Sequence, residues 1–293
     1  MIKIKGFGII EEIFDDNTNF FVRSKYIKCT KGERKRLFTP IGVKKIKDVT
    51  KNDYLGLPIN KKNTPLIWDG SLVYTPHTKN RVIKNELPLK NLDFWWFVGR
   101  VIADGWIISY KRKDRKNGYT HRIVLCCGKH EIDTLKTKMK LLPYVATLSE
   151  ERTTFRFTIN NQELYEFLSM FGKYCHGKFI PQNIIDMPIE YLKPMIEGYL
   201  SGDGYVEKLN VKTVTTISKK LAYTMRECIM KVYNVPVRLY YNANNKMGVI
   251  EGRKFKMSPT YVLGFKEDVR KQDKAFSDGE YVWLPLRKIE IVN

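Results

Sequence analysis

The sequence predicts an α+β protein in which one helix-led order of elements occurs twice, behind a unit of short strands. Three observations carry that reading. The stretch Phe97-Val-Gly-Arg-Val-Ile-Ala-Asp-Gly105 recurs, altered, as Ile196-Glu-Gly-Tyr-Leu-Ser-Gly-Asp-Gly204, 99 residues later. A hairpin and a helix follow each copy, and Leu135, Met139 and Leu142 precede Met225, Ile229 and Val232 by 90 residues. The difference between the two offsets falls in a longer first hairpin, and an offset broken only at a loop marks an internal duplication. Residues 1–87 alternate short apolar runs (Gly8–Phe14, Phe20–Val22, Tyr26–Cys29) with polar turns such as Asp15-Asp16-Asn17.

Composition fits a folded protein with a polyanionic partner. The 293 residues suffice for one large domain or two ordinary ones, and 43% are hydrophobic. No apolar run approaches the roughly 18 residues of a membrane helix. Met1-Ile-Lys-Ile-Lys-Gly6 lacks the apolar core of a signal peptide, so the chain is expected in the cytoplasm, or wherever its target lies, and not secreted. Five Cys show no paired Cys-x-x-Cys spacing, and Cys126 and Cys127 on a strand would face opposite ways, which argues against structural zinc. The net charge of +21 is spread along the chain and suits a long nucleic-acid docking surface. The richness in Lys, Ile, Asn and Tyr also fits an AT-rich genome.

Residues 60–90 are polar, with several Pro and a Trp-Asp-Gly turn, and read as a linker laid over the surface. The first repeat starts near Asn91, and Leu92, Trp96, Gly99 and Ala103 trace a helical face. Strand Trp106–Lys111 and strand His121–Cys127 flank Asn117-Gly118, a hairpin turn signal. A helix through Leu135 to Leu142 follows. Strands Tyr144–Leu148 and Phe155–Ile159 then lead to a helix through Leu164, Phe167 and Leu168, capped by Asn160 or Asn161. The second repeat opens with a helix through Leu192, Met195, Ile196 and Tyr199, with Pro194 placed in its first turn. A hairpin (Gly204–Glu207, Val211–Ile217), the helix Lys219–Tyr233 and the strand Val237–Tyr241 complete it. Residues Glu280–Asn293 alternate as a last strand.

The repeated stretch holds the candidate chemistry. Residues four apart share a helix face, so Gly99 with Ala103, and Gly198 with Gly202, form stripes poor in side chains. Two such helices can pack backbone to backbone. Gly105 and Gly204 are expected at the helix ends, where the chain often turns through positive φ. Asp104 and Asp203 would then meet at the bottom of the seam, as a divalent-metal site requires. Ordinary amphipathic helices with Gly caps are the plain alternative.

The paired segments resemble the signature of the LAGLIDADG homing endonucleases, at Gly99, Ala103, Asp104 and Gly105 and again at Gly198, Asp203 and Gly204, with Gly202 in the small position. The resemblance implies two pseudo-twofold αββαββα repeats, residues 88–182 and 183–276, forming a DNA-binding saddle in a monomer. It also implies cleavage of both strands of a long pseudo-palindromic duplex site to short 3′ overhangs. Asp104 and Asp203 become the catalytic acids, one per strand, sharing two or three Mg²⁺. Two such ions, roughly 3.5–4 Å apart, stabilise the attacking and leaving oxygens. A lysine before an Ile-Pro turn polarises the water or steadies the phosphate; Lys178, in Lys178-Phe-Ile-Pro181, matches that place. Its counterpart for the other half is Lys274, with Lys271 as runner-up. DNA would be read by strands in the major groove. Candidate contacts are Lys111, Arg112, Lys113, Arg115, Lys116 and Arg122 on the first hairpin, with Arg152, Arg156, Arg238, Lys254 and Lys256 elsewhere.

Residues Arg36–Pro58 resemble the β-region of intein (Hint) domains, with Thr39-Pro40 ahead of Lys45-Ile-Lys-Asp48 and Asn52-Asp53-Tyr54. Splicing groups do not follow: no Cys or Ser begins the chain, and no His-Asn pair ends it. Residues 1–87 are therefore expected to be a Hint-like all-β remnant with a linker, completed by a returning strand in 277–293. Two other classes suit the same fold: an RNA maturase, and a DNA-binding regulator that has lost catalysis. The regulator should have lost its acids, and both are present.

Overall fold

Alternation in Ile2-Lys3-Ile4 places two isoleucines on one face of the first strand, and both are buried. This strand, β1 (Ile2–Gly6), pairs with β2 (Ile9–Phe14) around Gly8, whose φ of +68° favours glycine. Then come β3 (Asn19–Thr30), β4 (Glu33–Phe38), β5 (Gly42–Lys45) and β6 (Asp53–Pro58). The computed structural model describes every residue except 31–32, 70–72, 75–81, 84–86, 113–117, 244–246, 251, 269–273 and 293. Asp53 is wholly buried at the start of β6 and accepts hydrogen bonds from Ser24, Thr50 and Lys44. Burial pushes its carboxyl up, but those donors together outweigh burial and hold it below the ordinary range.

The chain divides into two compact units. The first comprises residues 1–61, 206–217 and 229–293, and the second comprises 62–205 and 218–228. In the second unit the short β7 (Val73–Tyr74) and β8 (Val82–Ile83) precede helix α1 (Leu92–Asp104). The Asn91 side chain accepts from the Asp93 amide and starts α1. Phe94, Trp95, Phe97, Val98, Val101 and Ile102 are all buried, so α1 is a core helix. Burial of each large side chain contributes about 1.5–3 kcal/mol. Strands β9 (Gly105–Lys111), β10 (Tyr119–Gly128), β11 (Ala146–Glu150) and β12 (Thr154–Asn160) form a sheet in the order β11-β12-β10-β9. Helix α2 (Ile132–Lys140) precedes β11, and α3 (Gln162–Ser169), capped by Asn161, follows β12. Short helices α4 (Tyr174–Gly177) and α5 (Gln182–Ile185) lead to α6 (Ile189–Asp203). From Lys62 on, the described part of the expected linker belongs to this unit: Trp68 donates to Glu163 and packs edge-on against Phe167.

Proline 194 lies in the second turn of α6, not the first as the sequence reading placed it. The helix starts earlier because Pro188, at φ −54°, leads straight into Ile189. The cost is one missing backbone hydrogen bond.

The unit boundary passes through β13 (Gly204–Glu207), and the first unit continues with β14 (Val211–Thr216), β15 (Arg238–Asn242), β16 (Met247–Ile250), β17 (Arg253–Lys256), β18 (Thr260–Phe265), β19 (Phe276–Ser277) and β20 (Tyr281–Ile291). Helix α7 (Lys219–Tyr233) matches the sequence expectation, and the unit boundary passes through it. The order β13-β14-β18-β15 repeats that of β9-β10-β12-β11. Strand β20 pairs with β1 and with β6, so the last strand completes the N-terminal sheet, ordered β2-β1-β20-β6-β3-β4. The five cysteines are free, with Cys127 buried and Cys126 half-buried on β10. Among the described residues, no helix is long and apolar enough to cross a membrane.

Candidate functional site

Helices α1 and α6 meet through their glycines. A Cβ on Gly99 would overlap the Met195 carbonyl oxygen and lie 2.9 Å from the Tyr199 amide nitrogen. A Cβ on Gly198 would overlap the Trp96 carbonyl oxygen and lie 3.1 Å from the Arg100 amide nitrogen. The two contacts are reciprocal, because Met195 and Tyr199 stand 99 residues after Trp96 and Arg100. Gly202 lies against Ala103 and the Asp104 carboxylate. This packing brings the ends of both helices together, and with them Asp104 and Asp203.

The helix ends differ from expectation. Gly105 and Gly204 are extended, at φ −106° and −105°, not left-handed. Each enters a strand directly, β9 or β13. Glycine is required for space instead: a Cβ on Gly105 would lie 2.8 Å from Val101, and one on Gly204 would overlap Leu200.

Both aspartates sit at the negative ends of their helices, where an anion is disfavoured. Two cations counter this. The Lys178 ammonium donates to the carbonyls of Ile102 (2.6 Å), Gly105 (3.0 Å) and Ala103 (3.3 Å), closing the end of α1. The buried Arg100 guanidinium crosses from α1 to the Ser201 carbonyl in the last turn of α6. It also pairs with Asp104 (3.1 Å) and with Glu131 (2.8 Å). Glu131 follows β10 and is held by the Gly128 amide. In α6 the place of Arg100 is taken by Tyr199, which is hydrogen-bonded to Asp203.

Electrostatics mark this cluster. Burial and the neighbouring Asp104 charge push Asp203 up to about 6, against the pull of Lys178, Tyr199 and Arg100. Burial raises Asp104 too, opposed chiefly by Arg100. Burial lowers Lys178, opposed by Asp203 and Asp104. Two carboxylates raised by burial and by a neighbouring acid, Glu131 for Asp104 and Asp104 for Asp203, form a site short of positive charge.

That donor chemistry fits a hard divalent cation. No group of three or more His, Cys, Asp and Glu suited to a metal occurs among the described residues. An ion held by Asp104 and Asp203 would complete its shell with water, backbone carbonyl or phosphate oxygen, as Mg²⁺ readily does.

The β9–β12 sheet presents a second surface within the same unit. Register places Trp106 opposite Val124, Ile108 opposite Arg122, and Tyr110 opposite Thr120. Arg122 then stands opposite Asn160, and Cys126 opposite Arg156. Trp106, Ile108 and Tyr110 are exposed. Arg122 lies over the Tyr110 ring at 5.4 Å and Arg156 over the Trp106 ring at 5.7 Å. Guanidinium groups on exposed rings form a flat, cationic face. Arg156 is also paired with Glu151. Exposed Lys111 lies on the other side of β9, and Arg112 and Arg152 follow at loop positions. Lys113, Arg115 and Lys116 lie outside the described residues.

Four predicted residues belong to the first unit. Lys254 and Lys256 are exposed on β17. Arg238 on β15 pairs with Glu207 at 3.2 Å. Lys274 is exposed and lines a cavity of about 350 Å³ with Lys266, Arg238 and Arg287. Its runner-up Lys271 lies outside the described residues. Sequence reading passed over Arg100, Glu131 and Tyr199. The i,i+4 spacing of Arg100 to Asp104 and of Tyr199 to Asp203 was there to be read; nothing local marked Glu131.

No known family profile matches the chain, and no curated protein matches it. Solved structures do. Mesophilic variants of the homing endonuclease I-DmoI match at 14% identity, over 60% of this chain and 88% of theirs, with a TM-score of 0.43. I-SmaMI bound to uncleaved DNA target with calcium ions matches at 10% identity, over 60% and 79%, with a TM-score of 0.35. The homing endonuclease I-WcaI bound to its DNA recognition sequence matches at 10%, over 60% and 76%, with a TM-score of 0.36. Likenesses of that grade assign this chain neither a fold nor an activity.

Proposed function

We propose that this protein is a site-specific, divalent-metal-dependent DNA endonuclease of the LAGLIDADG homing type. The observation that carries the reading is the meeting of Asp104 and Asp203 at the joined ends of two glycine-packed helices, each bearing the repeated motif. Asp104 and Asp203 would hold Mg²⁺, which supplies charge for the phosphodiester oxygens and a more acidic water. Lys178 lies beside both acids. Its charge offsets theirs, and an ammonium that exchanges one carbonyl for a phosphate oxygen would steady the scissile group. Asp203, raised to about 6, accepts a proton near neutrality when no metal is bound.

The basic and aromatic face of β9–β12 would lie along the duplex, with Arg122 and Arg156 near base edges and Lys111 and Arg112 on phosphates. Lys254, Lys256 and Arg238 would serve the second half in the same way, and Lys274 would take the part of Lys178 there. The expected substrate is a long pseudo-palindromic duplex bound by a monomer and cut to 3′ overhangs. The N-terminal sheet closed by β20 would be the Hint-like part.

The test is incubation with Mg²⁺ and a plasmid library carrying the flanking genomic locus, both interrupted and joined. Linear product with a single cut position is expected. Absence of any nicked or linear product, with duplex binding retained, would overturn the assignment.

A further inference from the structure

The two acid-bearing helices have diverged at one position. Arg100 stands four residues before Asp104, and Tyr199 four before Asp203. Both side chains are 1% exposed. The Arg100 guanidinium is 3.1 Å from Asp104 Oδ2 and 2.8 Å from Glu131 Oε1, and it bonds the Ser201 carbonyl. Its Nε has no partner. Tyr199 gives Asp203 a neutral hydroxyl.

The two partners act differently on an incoming cation. A guanidinium takes up carboxylate lone pairs and cancels the charge that attracts a metal ion. A phenol takes one lone pair and leaves the charge in place. Arg100 is also not free to move aside, because Glu131 would be left without its charge partner. Lys178 works the other way, since its charge bears more on Asp203 than on Asp104, but its ammonium is bonded to the carbonyls of Ile102, Ala103 and Gly105, whereas Arg100 stands 3.1 Å from an Asp104 oxygen.

We propose that Arg100 makes the two acids unequal, so that Asp104 is the weaker divalent-cation ligand of the pair. Arg100 is thus a positioning residue. Glu131 tunes it by drawing on the same terminal nitrogen that Asp104 uses. The inference deepens the nuclease reading, on which its consequence for strand order rests.

The experiment is a titration of the full chain with Mn²⁺ alone, without DNA, counting free ion by electron paramagnetic resonance. Two classes of site are expected, separated by about tenfold, the factor that about 1.4 kcal/mol of ion pairing makes. Asp203→Asn should remove the tighter class and Asp104→Asn the weaker. Arg100→Gln should tighten the weaker class, and Glu131→Gln should loosen it further by leaving Asp104 as the one carboxylate paired with the guanidinium. If Arg100→Gln does not fold, the Glu131→Gln shift decides. Loss of the tighter class in Asp104→Asn, a single class or none in the unaltered chain, or an Asp104 class unmoved by these variants would overturn the proposal. Strand-specific nicking of an end-labelled duplex is the second readout, and the Asp203 strand should be cut first. A chain that binds Mn²⁺ as described yet cuts nothing would sink the nuclease reading and leave the inequality standing.

Discussion

Gly99 and Gly198 each press against the backbone of the opposite helix, and the atoms they meet are related by the same 99-residue offset as the glycines themselves. The relationship fixes how close α1 and α6 approach, and so where Asp104 and Asp203 stand. Gly99→Ala or Gly198→Ala puts a methyl onto a backbone carbonyl that cannot turn away. Each should cost about 1–3 kcal/mol or more, as overpacking does. Thermal melts should show both falling together. An unchanged Tm in either variant would mean that the helices are not in contact there.

Asp104→Asn and Asp203→Asn should each abolish linearisation of a plasmid target while duplex binding persists. Binding is proposed to rest on the basic and aromatic face of β9–β12 and not on the two carboxylates. Gel-shift and cleavage assays on the same preparations separate the two properties. Full cleavage by either variant would remove that acid from the mechanism.

The helices and their glycine contact were legible because the motif recurs at a fixed offset, and Lys219–Tyr233 because its apolar residues keep a helical period. The cluster around Arg100 was not. Glu131 reaches it from beyond β10, and nothing in the local sequence records that arrival. Gly105 and Gly204 were read as left-handed caps, since most helix-ending glycines are; here tight packing on Val101 and Leu200 demands them instead. Strand β18 went unread, although Thr260-Tyr-Val-Leu-Gly-Phe265 carries β-prone residues and follows Ser258-Pro259, because its partners β14 and β15 are distant in sequence.

Stability of the metal-free protein should depend on the Asp203 proton. Its carboxyl is raised from 3.8 in the open chain to about 6 in the fold. The native state therefore binds the extra proton, and stability falls as pH rises from about 4 through about 6. Discounted for solvent, the loss is about 1–2 kcal/mol. Asp203→Asn should be the more stable protein at pH 7.5 without metal and should flatten this part of the pH profile. Denaturant melts at pH 4.5 and 7.5 measure it. An unaltered chain that gains stability over that interval relative to Asp203→Asn would show that Asp203 is not proton-holding.

Lys178→Met keeps the length of the stem and removes the charge that closes the end of α1. Three carbonyls lose a donor, and the two carboxylates lose a shared neighbour. The variant should lose cleavage of both strands and melt several degrees lower, since a hydrogen bond to a charged group contributes about 1.5–3 kcal/mol. Retention of stability with loss of cleavage would confine Lys178 to the chemistry. Loss of stability with cleavage intact would confine it to the helix end.

The last prediction concerns how binding energy divides between phosphates and bases. With a net charge of +21, a long interface would neutralise many phosphates, each releasing counterion. The logarithm of affinity then falls with that of salt by about 0.9 per contact, so ~8 contacts lose on the order of 10³–10⁵ between about 50 and 200 mM. Exposed Lys111 ends β9, and Lys113 and Lys116 follow it in the sequence. Changing all three to alanine should lower the salt slope by about 3 and weaken every duplex alike. Arg122→Ala and Arg156→Ala, on the face that also presents Tyr110 and Trp106, should instead relax preference at single positions by roughly 1–3 kcal/mol. Salt titrations on cognate and scrambled duplexes distinguish the two kinds of loss. A slope unmoved by the triple variant would show that the hairpin faces solvent, and a uniform loss from the arginines would show that they hold phosphate and read nothing.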